Sequence, residues 1–107
     1  MSPSVLATVY PSETIEGYSH EQFLTDLAAE AEKDIRLCLD KGAHSVQIDF
    51  TEAGFCMRND PGGQLLREFI RFNNLILKKF DIEQQHRLGV HVCLGSIETF
   101  CLCFFFE

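Results

Sequence analysis

Apolar residues recur at helical spacing through Phe23, Leu27, Ala31, Ile35 and Cys38, and Leu24, Ala28 and Leu39 widen the stripe. Ahead of it, Ser19 and Gln22 form a capping-box pattern. Behind it, Gly42 stands where a helix needs a left-handed closing residue. The spacing predicts a helix over 20–41. The period then changes to two. In "HSVQIDF" (44–50) Val46, Ile48 and Phe50 alternate with Ser45, Gln47 and Asp49, which predicts a strand. "TEAGFCMRNDPGG" (51–63) reads as a loop. Asp60–Pro61 offers an N-cap and a first-turn proline to a second amphipathic helix, which carries Leu65, Leu66, Phe69, Phe72 and Ile76 and ends at about Phe80. Asp81 and Gln84 repeat the capping pattern for one further turn, and "LGVHVCL" (88–94) predicts a second strand. The opening "MSPSVLATVYPSETIEGY", punctuated by Pro11 and Gly17, reads as a strand remnant running into a loop.

Helix, strand, helix, strand with short links predicts an α/β fold built from βαβ units on a parallel sheet. A doubly wound sheet and a piece of a (β/α)8 barrel fit this order equally well. A whole barrel takes about 250 residues. The 107 residues here amount to less than half of that. In both layouts working residues gather at the carboxyl ends of the strands.

Two groups of residues fall there: Asp49 with Thr51 and Glu52, and His91 with Cys93. Residues two apart on a strand share a face and stand about 6–7 Å apart. That spacing lets an imidazole and a thiol converge on one metal with bonds of roughly 2.0–2.3 Å. Nitrogen with sulfur favours zinc, which keeps a bound thiol deprotonated at neutral pH. The plainer alternative is a histidine and a cysteine filling a strand face. Asp49 is costly to bury unpaired, so it reads as an acceptor for a substrate ammonium or as an internal cap or salt bridge. Glu52 reads as a second substrate contact or a solvated loop residue. Cys38 falls on the helix stripe and reads as core, Cys56 as a loop thiol, and Cys101 and Cys103 as hydrophobic filler. His20, His44 and His86 read as surface residues.

Nine basic against sixteen acidic residues give a net charge of −7, which argues against nucleic acid or an anionic membrane as partner. Five cysteines without framework spacing, and no signal-like opening, point to a reduced, cytoplasmic setting. "FCLCFFF" (100–106) is far shorter than the ~20 residues a bilayer demands. It is aromatic, uncharged and free of proline, an aggregation hazard where exposed.

"GAHSVQIDFTE" followed later by "LGVHVCLG" resembles the C-terminal catalytic barrel of cobalamin-independent methionine synthase, in its shorter methionine synthase II-like form. "VYPSETIEGYSHEQFLTDLAAEAEKDIRLCLDKGA" is similar to the loop and helix before that strand. The resemblance runs over roughly residues 8 to 95. It implies a partial TIM (β/α)8 barrel over residues 1–95, followed by a divergent hydrophobic tail over 96–107. It further implies zinc-dependent methyl transfer from 5-methyltetrahydropteroyl polyglutamate, a methyltetrahydrofolate, to homocysteine in methionine biosynthesis. His91 and Cys93 would be zinc ligands, and Asp49, with Glu52 nearby, would hold the homocysteine amino group. In the family the aspartate is followed by Glu-Pro; here Phe50 and Thr51 follow, and Glu52 comes one step later. The family's remaining ligands, a glutamate and another cysteine, find no matching positions. The chain therefore reads as a truncated member, inactive as a fragment alone. The alternative is a non-catalytic α/β binding or assembly module from the same barrel, and a complete small α/β protein of unrelated function stands third. Open sheet edges would favour self-association.

Overall fold

A computed structural model of the chain describes residues 2–10 and 15–92 and the backbone of 102–104. Helix α1 spans Pro3–Val9, α2 His20–Asp40, α3 Ala53–Asn59, α4 Gln64–Leu77 and α5 Ile82–Gln85; the strands are β1 Val46–Asp49, β2 Leu88–Val92 and β3 Leu102–Phe104.

Where local chemistry is strong, the elements follow it. Ser19 Oγ accepts the Gln22 N–H at 3.1 Å while Gln22 Oε1 accepts the Ser19 N–H at 2.7 Å, so α2 opens on the expected capping box. It closes on Gly42 at φ +89°. There the Gly42 N–H reaches the Leu39 carbonyl and the Ala43 N–H the Cys38 carbonyl, both at 3.0 Å, which satisfies the last turn. Nothing lies within 4 Å of a β-carbon at Gly42, so a side chain there meets strained backbone and no clash. Gly42→Ala is expected to cost about 1 kcal/mol, the penalty of a left-handed L residue. A urea midpoint that does not fall would contradict this account of the cap. Asp81 and Gln84 form a second reciprocal box at α5.

Elsewhere tertiary contacts overrule the sequence pattern. The opening segment is helical, with Ser2 as N-cap and Pro3 in the first turn. Residues 53–59, expected to be loop, form α3, whose Ala53, Gly54 and Cys56 are buried. Asp60 does not begin the next helix. It starts a turn in which the Gly63 N–H donates to its carbonyl at 2.9 Å, with Pro61 at the second position. Helix α4 then begins at Gln64 behind Gly63, while Asp60 Oδ2 accepts the Leu65 N–H at 2.8 Å and is held below the usual carboxylate range by that bond first.

The sheet order is β1-β2-β3. β1 and β2 are parallel, from Val46 opposite Leu88 to Asp49 opposite His91. β3 adds to β2 antiparallel, with Val90 opposite Phe104 and Val92 opposite Leu102. The sheet is therefore mixed, not all-parallel as the βαβ pattern predicts, because part of the apolar tail returns as a strand. Cys93 and Leu94 of the expected strand, Cys101 and the rest of the tail lie outside the described residues, as does Pro11.

Both long helices cover one face of the sheet. Ile35 and Leu39 of α2, Ile48 of β1, and Ile76 and Phe80 from α4 and its exit form one buried cluster. Phe50, Ala53 and Val90 form a second, packed by Leu66, Phe69 and Ile70. Cys38 flanks the α2 stripe and is exposed, which corrects its reading as core. Arg36 joins the two helices at their surface: its guanidinium lies 4.5 Å over the Phe80 ring and donates to the Lys79 carbonyl at 2.9 Å. Among the described residues no helix is long and apolar enough to cross a membrane.

Candidate functional site

Strand alternation separates apolar from polar chemistry here. Ile48, Phe50 and Val90 turn into the buried clusters beneath the helices. Gln47, Asp49 and Thr51, with His91, line an open cleft of ≈ 400 Å³. The register sets Asp49 directly beside His91 at the carboxyl ends of the parallel pair. Two backbone bonds fix that end: the Phe50 N–H donates to the His91 carbonyl at 2.8 Å, and the Ser2 N–H to the Asp49 carbonyl at 2.9 Å. Asp49 is half-buried, and its Oδ1 has no hydrogen-bond partner among the described residues.

A carboxylate and an imidazole side by side can receive a cation, whether a substrate ammonium or a metal. Imidazole nitrogen and carboxylate oxygen are both zinc donors, so this pair fits part of a zinc ligand set. Among the described residues no three His, Cys, Asp or Glu side chains are grouped to hold a metal ion. The partner that the sequence places beside His91, Cys93, is outside the described residues.

The structure does not bring Glu52 to this cleft. Its side chain is buried, 8% exposed, and its Oε1 accepts hydrogen bonds from the hydroxyls of both Ser2 and Ser4. Ser4 Oγ in turn accepts from Asn73 Nδ2 at 2.9 Å. Ser2 and Ser4 on the α1 side, Glu52 after β1 and Asn73 in α4 thus make a polar cluster inside the helical layer. Glu52 Oε2 and Asn73 Oδ1 have no partner among the described residues. The hydrophobic pattern gave no sign of this cluster. The only local cue was Ser2-Pro3, a good N-cap followed by a good first-turn residue. Cys56, read as a loop thiol, is fully buried in α3, and burial first, then the Glu52 charge, pushes its thiol up. A thiol in that setting is a poor nucleophile.

Comparison with protein-family models, with curated proteins and with solved structures finds no match. Fold and site together define an α/β unit with a parallel strand pair and a polar cleft at its carboxyl end.

Proposed function

We propose that this chain is a segment of a (β/α)8-type methyltransferase barrel of the methionine synthase II kind, and that by itself it turns over little or no substrate. The substrates of that reading are homocysteine as acceptor and 5-methyltetrahydropteroyl polyglutamate as methyl donor, in the cytoplasm. His91 and Cys93 would hold zinc, and Asp49 would receive the homocysteine ammonium. Zinc, when bound, keeps a thiol deprotonated at neutral pH. The observation that carries the reading is the pairing of Asp49 with His91 at the carboxyl end of parallel strands, on the face the helices leave to the cleft. In a barrel that face lines the interior and that end carries the chemistry. Glu52, bonded inside the helical layer, supports the fold in this reading and not the substrate.

One observation favours the second reading, a non-catalytic binding or assembly module of the same ancestry. Antiparallel β3 takes the edge of β2 where a barrel would add its next parallel strand. Calorimetric titration with zinc separates the two. The methyltransferase reading expects a submicromolar site that weakens as pH falls, because protons compete for the imidazole and thiolate, and that is lost in His91→Ala and in Cys93→Ala. Absence of zinc binding in the unaltered chain leaves the module.

A further inference from the structure

The helical layer holds a carboxylate whose charge has no protein counterpart. Glu52 is buried, and among the described residues every ion pair involves Glu30 or Glu32 of α2; none reaches Glu52. Charges taken out of water are ordinarily paired or set against a metal ion. The surroundings of Glu52 are short of protons as well. The hydroxyls of Ser2 and Ser4 both donate to its Oε1, and Asn73 Nδ2 donates to Ser4 Oγ at 2.9 Å. That leaves Glu52 Oε2 and Asn73 Oδ1, each closed to water and each without a hydrogen-bond partner. Asn73 is 4% exposed and both serines are fully buried, so bulk solvent does not make up the deficit. The cluster thus carries two bare acceptor oxygens and a negative charge. Whatever satisfies it brings positive charge or protons.

We propose that this cluster binds a monovalent cation, Na⁺ or K⁺, through the side-chain oxygens of Glu52 and Asn73, with the serine hydroxyl oxygens beside them. The donors are oxygen, the ligands of hard cations and not those that select zinc. Charge and burial then choose among the hard cations. Ca²⁺ takes about 6–8 oxygens, which this cluster does not supply, and Mg²⁺ keeps several of its own waters, which a site closed to solvent does not admit. A monovalent ion matches the single carboxylate. The site lies in the helical layer, apart from the cleft, and does not depend on the zinc reading. One residue joins the two: Ser2 gives its hydroxyl to Glu52 and its N–H to the Asp49 carbonyl at 2.9 Å. A cation bound at Glu52 therefore fastens the start of α1 against the strand end that carries Asp49.

The test is urea unfolding of the full chain at neutral pH in NaCl and in KCl, with choline chloride holding the ionic strength constant so that general screening is the same in every sample. An ion bound only by the folded chain raises the midpoint with its concentration. The midpoint is expected to rise in Na⁺ or K⁺ over choline. The apparent affinity is expected to fall more than tenfold in Glu52→Gln and in Asn73→Leu and to be kept in Asp49→Asn. Equal midpoints in the three salts overturn the proposal and leave an internal water as the guest. A response that survives Glu52→Gln, or one lost in Asp49→Asn alone, puts the cation elsewhere and also overturns it. So does a midpoint raised by Mg²⁺ or Ca²⁺ and by neither monovalent ion. Where the Glu52 and Asn73 variants do not fold, sodium and potassium NMR of the unaltered protein decides: saturable line broadening of either ion supports the site, and its absence for both overturns it. None of these outcomes bears on zinc binding in the cleft.

Discussion

Replacing Ile76 with alanine is expected to destabilise the protein by about 2–5 kcal/mol, the range for deleting a large aliphatic side chain from a close-packed site. Ile76 is wholly buried, and it is the fully buried α4 member of the cluster that holds Ile35 and Leu39 of α2, Ile48 of β1 and Phe80. Its loss removes transfer free energy and leaves a cavity that two helices and a strand would have to move together to close. A small domain has roughly 5–15 kcal/mol of total stability, so the change takes a large share of it. Ile76→Val should cost only about 0.5–1.5 kcal/mol, because most of the volume remains. Urea unfolding followed by circular dichroism measures both. Equal midpoints for the alanine variant and the parent would mean that α4 does not seat on the sheet through this residue.

The second large effect concerns Glu52. Its carboxylate takes hydrogen bonds from two serine hydroxyls in a setting almost closed to water, so Glu52→Ala leaves Ser2 and Ser4 without their acceptor. Hydrogen bonds to a charged group contribute about 1.5–3 kcal/mol each, and the desolvation of the carboxylate offsets part of the pair. The net expectation is a loss of about 2–3 kcal/mol. Glu52→Gln keeps an acceptor oxygen of the same reach and should cost about 1 kcal/mol, the difference between a charged and a neutral acceptor. A double-mutant cycle with Ser4→Ala tests the assignment directly. The coupling should reach at least about 0.5 kcal/mol, as it does for residues in contact. Additive effects would show that the cluster does not act as a unit, and an alanine variant more stable than the parent would show that burying this charge outweighs its bonds.

These two residues also mark how far the chain can be read from its letters. Helix α2 was legible because its signals are local: an apolar stripe, Ser19 with Gln22 in front and Gly42 behind, each acting across a few residues. The same holds for the α5 cap and for the alternation that separates Ile48 from Asp49. Helices α1 and α3 were not legible. Each has seven residues, too few for a period to emerge, and α3 has no side-chain cap bond. The start of α4 was misplaced because Asp-Pro serves equally as a helix opening and as a turn, and Gly62–Gly63 let the turn win. For the site, alternation was enough to put Asp49 on the side of its strand opposite Ile48, toward the cleft. It gave no means of telling that Glu52, three residues after Asp49, turns into the helical layer instead.

What the sequence by itself determined is the set of local periods and caps: α2, β1, α5 and β2, and the polar or apolar parity of each strand position. Those features follow from side-chain interactions over one or two turns, which any short segment carries with it. Only the tertiary structure decided that Asp49 stands beside His91, that Cys103 stands opposite His91, and that Ser2 and Ser4 meet a carboxylate 50 and 48 residues away. Register and burial of this kind depend on which distant surfaces pack together. That choice is made by the sum of many weak contacts against the entropy of closing long loops, and no local motif records it.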